Sequence, residues 1–187
     1  MKKNAIVLLA DGFEEVEAVT PIDYLRRAGI DITVAAIGAG LSVKGARGIT
    51  INADAMLKEL KRQWDAVIIP GGMPGAANIA ASQEAGALIT EMAAGGKLIC
   101  AICASPAIVL APLGLLAGKK FTCYPGMEEK VCGGIWTDER VVIAPHRVGG
   151  GIISSRGAGT AGLFAVAIIN QLLGEGEGDK IAQAVLL

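Results

Sequence analysis

Two rhythms of apolar residues alternate along the chain. Short unbroken runs read as strands buried on both faces: Asn4 to Ala10 (NAIVLLA), Ile30 to Ile37 (IDITVAAI), Asp65 to Pro70 (DAVIIP), Leu98 to Ala101 (LICA) and Gly150 to Ser154 (GGIIS). Between them lie stretches with helical spacing. Glu14 to Arg27 places Val16, Val19, Ile22 and Leu25 at helical intervals, with Glu14 and Glu15 at the start and Arg26 and Arg27 at the end, each on the side that the helix dipole favours. Ser82 caps a second predicted helix through Ala94, and Thr160 caps another over Ala161 to Leu173. Helix is also predicted over Ala104 to Leu113 and, as short pieces, over Ala55 to Leu60, Met127 to Cys132 and Gly178 to Leu187, with a single turn at Ala76 to Ala80. Gly38 to Asn52 holds four glycines and two short alternating segments, which predicts a small hairpin at the sheet's edge. Phe121 to Tyr124 and Trp136 to Ala144 read as further short strands. Strands that alternate with helices predict an α/β fold with a parallel, doubly wound sheet.

Composition narrows the picture. The 187 residues suit one domain, 1 to 187, with a sizeable core. The mean hydropathy of +0.52 is high, yet no apolar run approaches the ~18 residues that would span a bilayer. A net charge of −1 without a basic block argues against a nucleic-acid partner. Asp11 and the charged stretch after it interrupt the first apolar run too early for a signal peptide, so a cytoplasmic location is expected. Four cysteines, Cys100, Cys103, Cys123 and Cys132, are too few for a disulfide scaffold and lack the spacing of a structural zinc site; no metal is expected.

The stretch Lys97 to Ser105 carries the sharpest chemical signal. Its apolar strand runs into Cys103, and Pro106 opens a helical segment. Cys103 has Ala101 and Ser105 two residues to either side, the small flanks that a tight strand-to-helix elbow requires. Helix N–H groups at such a turn favour the thiolate, which is the reactive form. An inert buried cysteine is the plainer alternative. Other predicted strand ends bring Asp11-Gly12, Gly71-Gly72 and Ser155-Arg156-Gly157 to the same edge of the sheet, where ligands gather in such folds. Glu17 shares a helix side with Glu14 and Pro21 and can trade a proton with Cys103, whereas Glu14 and Glu15 are explained by the helix dipole. Backbone N–H groups of Gly72 and Ala104 are candidate oxyanion donors. Tyr124, Arg27, Arg47 and Ser155 are candidates for the pocket wall. The Cys100-Ala-Ile-Cys103 spacing also suits a redox dithiol, but Cys100 falls inside the strand, so a single reactive cysteine ranks higher. The sole histidine, His146, has nothing local to mark it as catalytic.

Taken together, Ala10-Asp11-Gly12-Phe13-Glu14-Glu15-Val16-Glu17, Leu25-Arg26-Arg27-Ala28-Gly29, Pro70-Gly71-Gly72, Ala101-Ile102-Cys103-Ala104 and Ser155-Arg156-Gly157-Ala158-Gly159-Thr160 resemble the DJ-one branch of the ThiJ/PfpI superfamily over nearly the whole chain. The resemblance implies a flavodoxin-like, mostly parallel sheet sandwiched by helices, of the class I glutamine amidotransferase kind, usually in a homodimer built partly from the first helix. It implies that Cys103 is the reactive residue, that Glu17 hydrogen-bonds it, and that Gly72 and Ala104 hold oxygens near the sulfur, without a cofactor. The activities it implies are cofactor-free conversion of methylglyoxal or glyoxal to a hydroxy acid and removal of early glycation adducts; the alternative is oxidative-stress sensing or chaperone-like protection through oxidation of Cys103 to the sulfinate. Tyr124 departs from the histidine that many members carry there, so a histidine-dependent step is not expected.

Overall fold

The computed structural model describes residues 2–145 and 150–187; His146 lies outside them. In chain order the elements are β1 (Asn4–Ala10), α1 (Glu15–Arg27), β2 (Asp31–Ile37), β3 (Ser42–Lys44), β4 (Thr50–Asn52), β5 (Ala55–Met56), β6 (Ala66–Ile69), α2 (Gly75–Ala81), α3 (Gln83–Ala94), β7 (Leu98–Ile102), β8 (Lys120–Phe121), β9 (Ile135–Trp136), β10 (Val141–Pro145), β11 (Gly151–Ser155), α4 (Ala161–Leu173) and α5 (Glu177–Ala184).

Seven strands form the main sheet in the order β10-β11-β7-β6-β1-β2-β5. All neighbours run parallel except β10, which pairs antiparallel with β11 at one edge. The inner order β11-β7-β6-β1-β2 is that of a flavodoxin-like fold, and the winding reverses between β1 and β6. The two-residue period of a strand divides β1 between two layers. Ala5, Val7 and Leu9 pack into the cluster that includes Ala18 and Leu25 of α1 and Phe164 and Ile168 of α4. Ile6, Leu8 and Ala10 pack into the cluster that includes Ala76 and Ile79 of α2 and Ile89 of α3. Apolar residues buried on both faces explain why these strands read as unbroken runs.

Several expectations are corrected in detail. β3 and β4 do form an antiparallel hairpin, but as a separate two-stranded sheet that stands over the end of β1. Ala55 to Leu60 is a two-residue strand and a 3₁₀ turn rather than a helix, because Ala35 and Ala36 of β2 offer the chain a free edge to pair with. The turn at Ala76 to Ala80 is the helix α2. Pro106–Leu110 is π-helical and the chain then turns, so the helix predicted to Leu113 is cut short. Met127 to Cys132 contains only a 3₁₀ turn at Glu128–Lys130. Ser82 caps α3 as expected, its Oγ accepting from Ala85 N at 3.2 Å. Thr160 does not cap α4: its hydroxyl is held by Gly157, accepting from N at 3.1 Å and donating to O at 2.8 Å. No helix among the described residues is long and apolar enough to cross a membrane.

Candidate active site

Cys103 is held from three sides at the end of β7. Its N–H donates to Ser155 O at 2.9 Å, and its carbonyl accepts from Tyr124 N at 2.8 Å. Two residues on, Ser105 Oγ donates to Pro70 O at 2.6 Å. Ala101 and Ser105 are completely buried, which leaves no room for larger flanks. The turn places Cys103 at φ +63°, a left-handed conformation that few residues other than glycine adopt. It persists because these bonds leave the backbone no alternative.

Three turns meet at the thiol, and glycines let their backbones touch. Glu14 N donates to Gly71 O at 3.0 Å. A Cβ on Gly72, itself at φ +86°, would overlap Glu14 N and Gly12 O. A Cβ on Gly71 would lie 2.6 Å from Cys103 Cβ and 2.7 Å from Glu17 Oε2. Packing therefore fixes both glycines, and at Gly72 the left-handed turn does so as well.

Glu17 stands in the first turn of α1 and is only 1% exposed. Its Oε2 accepts from Gly71 N at 2.8 Å, and the carboxyl hydrogen-bonds the Cys103 thiol. Burial pushes its pKa up to about 7, with a further small rise from Glu14, against the pull of the Gly71 and Cys103 bonds. Burial also pushes Cys103 up to about 12, and the Glu17 charge adds to the rise; N–H groups of Gly72 and Ala104 on the sulfur pull the other way. Desolvation and the neighbouring carboxylate thus act against the thiolate that the Gly72 and Ala104 N–H groups favour. The two groups titrate as a pair.

The remaining candidates separate cleanly. A Cβ on Gly157 would lie 3.6 Å from the Tyr124 ring and 3.8 Å from Glu17 Oε1, so Tyr124 and Gly157 stand beside the pair. Ser155 contributes its backbone to Cys103 but not its side chain, which donates to Arg140 O at 2.9 Å. Arg27 is ten helical residues from Glu17, about 15 Å along the axis, and binds Asp23 Oδ2 at 2.7 Å; the structure does not bring it to the pair. Arg47 is exposed and reaches Glu14 at 4.0 Å, at the rim. Cys100 is fully buried in the core and Cys123 is buried, whereas Cys132 is exposed; all four cysteines are free. Glu14, which the helix dipole explains, is half-buried beside Glu17.

Two features escaped the sequence reading. Gly71, the first glycine of its pair, supplies the N–H that holds Glu17. Glu15 is 4% exposed and accepts from Arg47 N and Ile49 N in the hairpin. Helix geometry held the only available clue to Glu15: it lies two residues, or 200°, from Glu17 and so cannot share its face. Among the described residues no group of three or more His, Cys, Asp or Glu side chains is arranged to hold a metal ion. A cavity of about 630 Å³ lies beyond Asp11, lined in part by Ile37, Met56, Lys58, Asn78 and Glu84; Cys103 and Glu17 are not among its walls.

A sequence model described as the DJ-1/PfpI family matches residues 3–171. Over 183 residues the chain is 40% identical to protein DJ-1 homolog B of Arabidopsis thaliana, spanning 97% of this chain but 41% of that longer protein. It is 34% identical over 190 residues to the Caenorhabditis elegans protein named glutathione-independent glyoxalase DJR-1.2, covering 100% of this chain and 97% of the relative. The solved structure of oxidized DJ-1 from Toxoplasma gondii superposes with a TM-score of 0.93 at 36% identity, over 98% of both chains.

Proposed function

This chain belongs to the DJ-1/PfpI family, and from that premise we propose that it is a cofactor-free enzyme that converts small 2-oxoaldehydes, such as methylglyoxal and glyoxal, to hydroxy acids and releases early glycation adducts. The observation that carries this reading is the buried Glu17 carboxyl, held by Gly71 N at 2.8 Å against the Cys103 thiol, with a proton affinity near neutrality. A general acid–base group works best when its pKa lies near the working pH.

With methylglyoxal, Glu17 takes the thiol proton and Cys103 Sγ attacks the aldehyde carbon. The new alkoxide lies against the Gly72 and Ala104 N–H groups and recovers the proton from Glu17, giving a hemithioacetal. Glu17 then removes the hydrogen from that carbon and an ene-diol forms. The neighbouring carbon is protonated in turn, leaving a lactoyl thioester on Cys103. Water cleaves the thioester to lactate and the free thiol, so that one methylglyoxal and one water give one lactate. Pure protein incubated with methylglyoxal in the absence of glutathione is expected to form lactate; none above the Cys103→Ser background would overturn the reading.

The donors on Cys103 Sγ also favour a second reading. Two equivalents of peroxide would convert the thiolate to the sulfinate and release two waters, and the same N–H groups would hold its oxygens. Cys100 is fully buried in β7, which disfavours a disulfide with Cys103 in its place. Assembly as a homodimer through α1 is part of the proposal: Val16 and Val19 are 48% and 46% exposed on that helix. Sedimentation at micromolar concentration should report twice 19.0 kDa, and a persistent monomer would refute it.

A further inference from the structure

The hairpin β3–β4 makes no strand pairing with the main sheet, yet its turn is tied to the segment that shapes the reactive site. Gly12 N donates to Lys44 O at 2.7 Å, Lys44 N to Asp11 Oδ1 at 2.8 Å and Ala46 N to Phe13 O at 2.8 Å. Glu15 completes the tie: Oε1 accepts from Arg47 N at 2.7 Å and from Ile49 N at 3.3 Å. Gly45 is packed so tightly on this carboxylate that a Cβ there would overlap it. The other oxygen, Oε2, is buried without a partner among the described residues. Burial with half the acceptor capacity unused is a poor way to gain stability, since an unsatisfied buried polar atom is costly.

What the tie does secure is position. From residues 11–14 a continuous path leads to the chemistry. Glu14 N binds Gly71 O, Gly72 is in backbone contact with Gly12 and Glu14, Gly71 N holds Glu17, and Gly72 N–H reaches the sulfur. On α1 itself, Glu15 and Glu17 point to opposite sides, one to the hairpin and one to the thiol.

We propose that Glu15 is a positioning residue: by clamping the hairpin turn 45–49 to the first turn of α1, it fixes the β1–α1 segment and, through it, the placement of Gly71, Gly72 and Glu17 around Cys103. The proposal rests on the reading of Cys103 as the reactive thiol, but it does not need turnover of an aldehyde. Its test compares iodoacetamide labelling of the parent, Glu15→Ala and Glu15→Gln, well below their melting temperatures, with the labelled cysteines resolved by mass spectrometry. Glu15→Ala should slow labelling of Cys103 by about tenfold or more, the scale of effect that sub-ångström misplacement produces, while exposed Cys132 in the same sample labels at the parental rate. Glu15→Gln keeps the accepting oxygen and should restore Cys103 to within about threefold of the parent. Gly45→Ala, which forces the carboxylate off the turn without altering Glu15, should reproduce the Glu15→Ala defect and serves if that variant does not fold. Parental labelling of Cys103 in a folded Glu15→Ala or Gly45→Ala protein would overturn the proposal, as would a Glu15→Gln variant no better than Glu15→Ala. A parent that makes no lactate from methylglyoxal, yet shows this labelling pattern, would refute the enzymatic reading and leave the positioning role standing.

Discussion

Cys100 and Cys103 lie three residues apart on one short stretch, in surroundings that have little in common. Cys100 is inside β7, paired with Ile153 on one side and Ile68 on the other, and completely buried. Burial alone drives its pKa well above the usual thiol value. Cys103 is one residue beyond the strand, in a left-handed turn, where two N–H groups, a carboxyl and an open side all reach its sulfur. The same element encloses one thiol where the sheet continues and leaves the other partly exposed where it stops. Backbone donors and a carboxyl reach a sulfur only at the end of the strand, which is where the proposed reactivity lies.

The largest effect should come from exchanging sulfur for oxygen at the two positions. Cys103→Ser is expected to lower lactate formation by at least about 10³-fold, as loss of a nucleophile does, with little change in melting temperature. Cys100→Ser should keep the activity and lose about 1–3 kcal/mol in chemical denaturation, the cost of a buried hydroxyl without a partner. Activity lost equally in both would erase the distinction.

Glu17→Gln sharpens the comparison next. Activity should fall by about 10²–10⁴-fold, the contribution of one placed acid–base group. Stability should move in the opposite sense, and only in one pH range. The folded pKa of about 7 lies above the ordinary glutamate value. The unfolded chain therefore releases this proton first as pH rises, and the parent loses stability between about pH 4.3 and pH 7, by about 4 kcal/mol at most. Denaturation at several pH values should show Glu17→Gln without that decline and more stable than the parent above pH 7. Glu91→Gln, on an exposed part of α3, is the control and should follow the parent throughout.

The smallest change is one methyl group. Gly71→Ala, whose Cβ would press on both Cys103 and Glu17, should cost about 1–3 kcal/mol as overpacking does. It should also slow Cys103 alkylation while leaving the buried Cys100 unlabelled, as in the parent. Unchanged alkylation would mean that contact between the two groups is not what activates the thiol.

How far the molecule could be read in advance follows the same division between continuous elements and their ends. The five inner strands are legible as short, largely apolar runs, four of them buried on both faces and β2 half-buried on one. Cys103, Glu17, Gly72 and Ala104 were legible as candidates because a small-flanked elbow and a resemblance in motif converge on them. Ala76 to Ala80 reads as a single turn because Ala-rich sequence with a single Ile carries little periodicity. Glu15 was assigned to the helix dipole because its partners are backbone N–H groups 32 and 34 residues away, and backbone donors leave no mark in a sequence. Arg27 was drawn toward the site by its motif, but it sits at the far end of the same helix. The raised pKa of the Cys103 thiol left no mark for a related reason: desolvation depends on everything around a group, and a local pattern records only its neighbours in the chain.

The left-handed turn at Cys103 bears on how the protein would change under selection. A non-glycine residue at φ +63° holds about 1–2 kcal/mol of backbone strain that glycine would release. Its side chain also weighs on a neighbour, since the carboxyl that serves it is buried. Selection for thermal stability alone would thus drift toward glycine at position 103 and an amide at position 17, discarding the chemistry first. A lineage that keeps Cys103 and Glu17 forgoes stability that two substitutions could recover, and persistence of the pair in such a lineage would itself be a record that the thiol is in use.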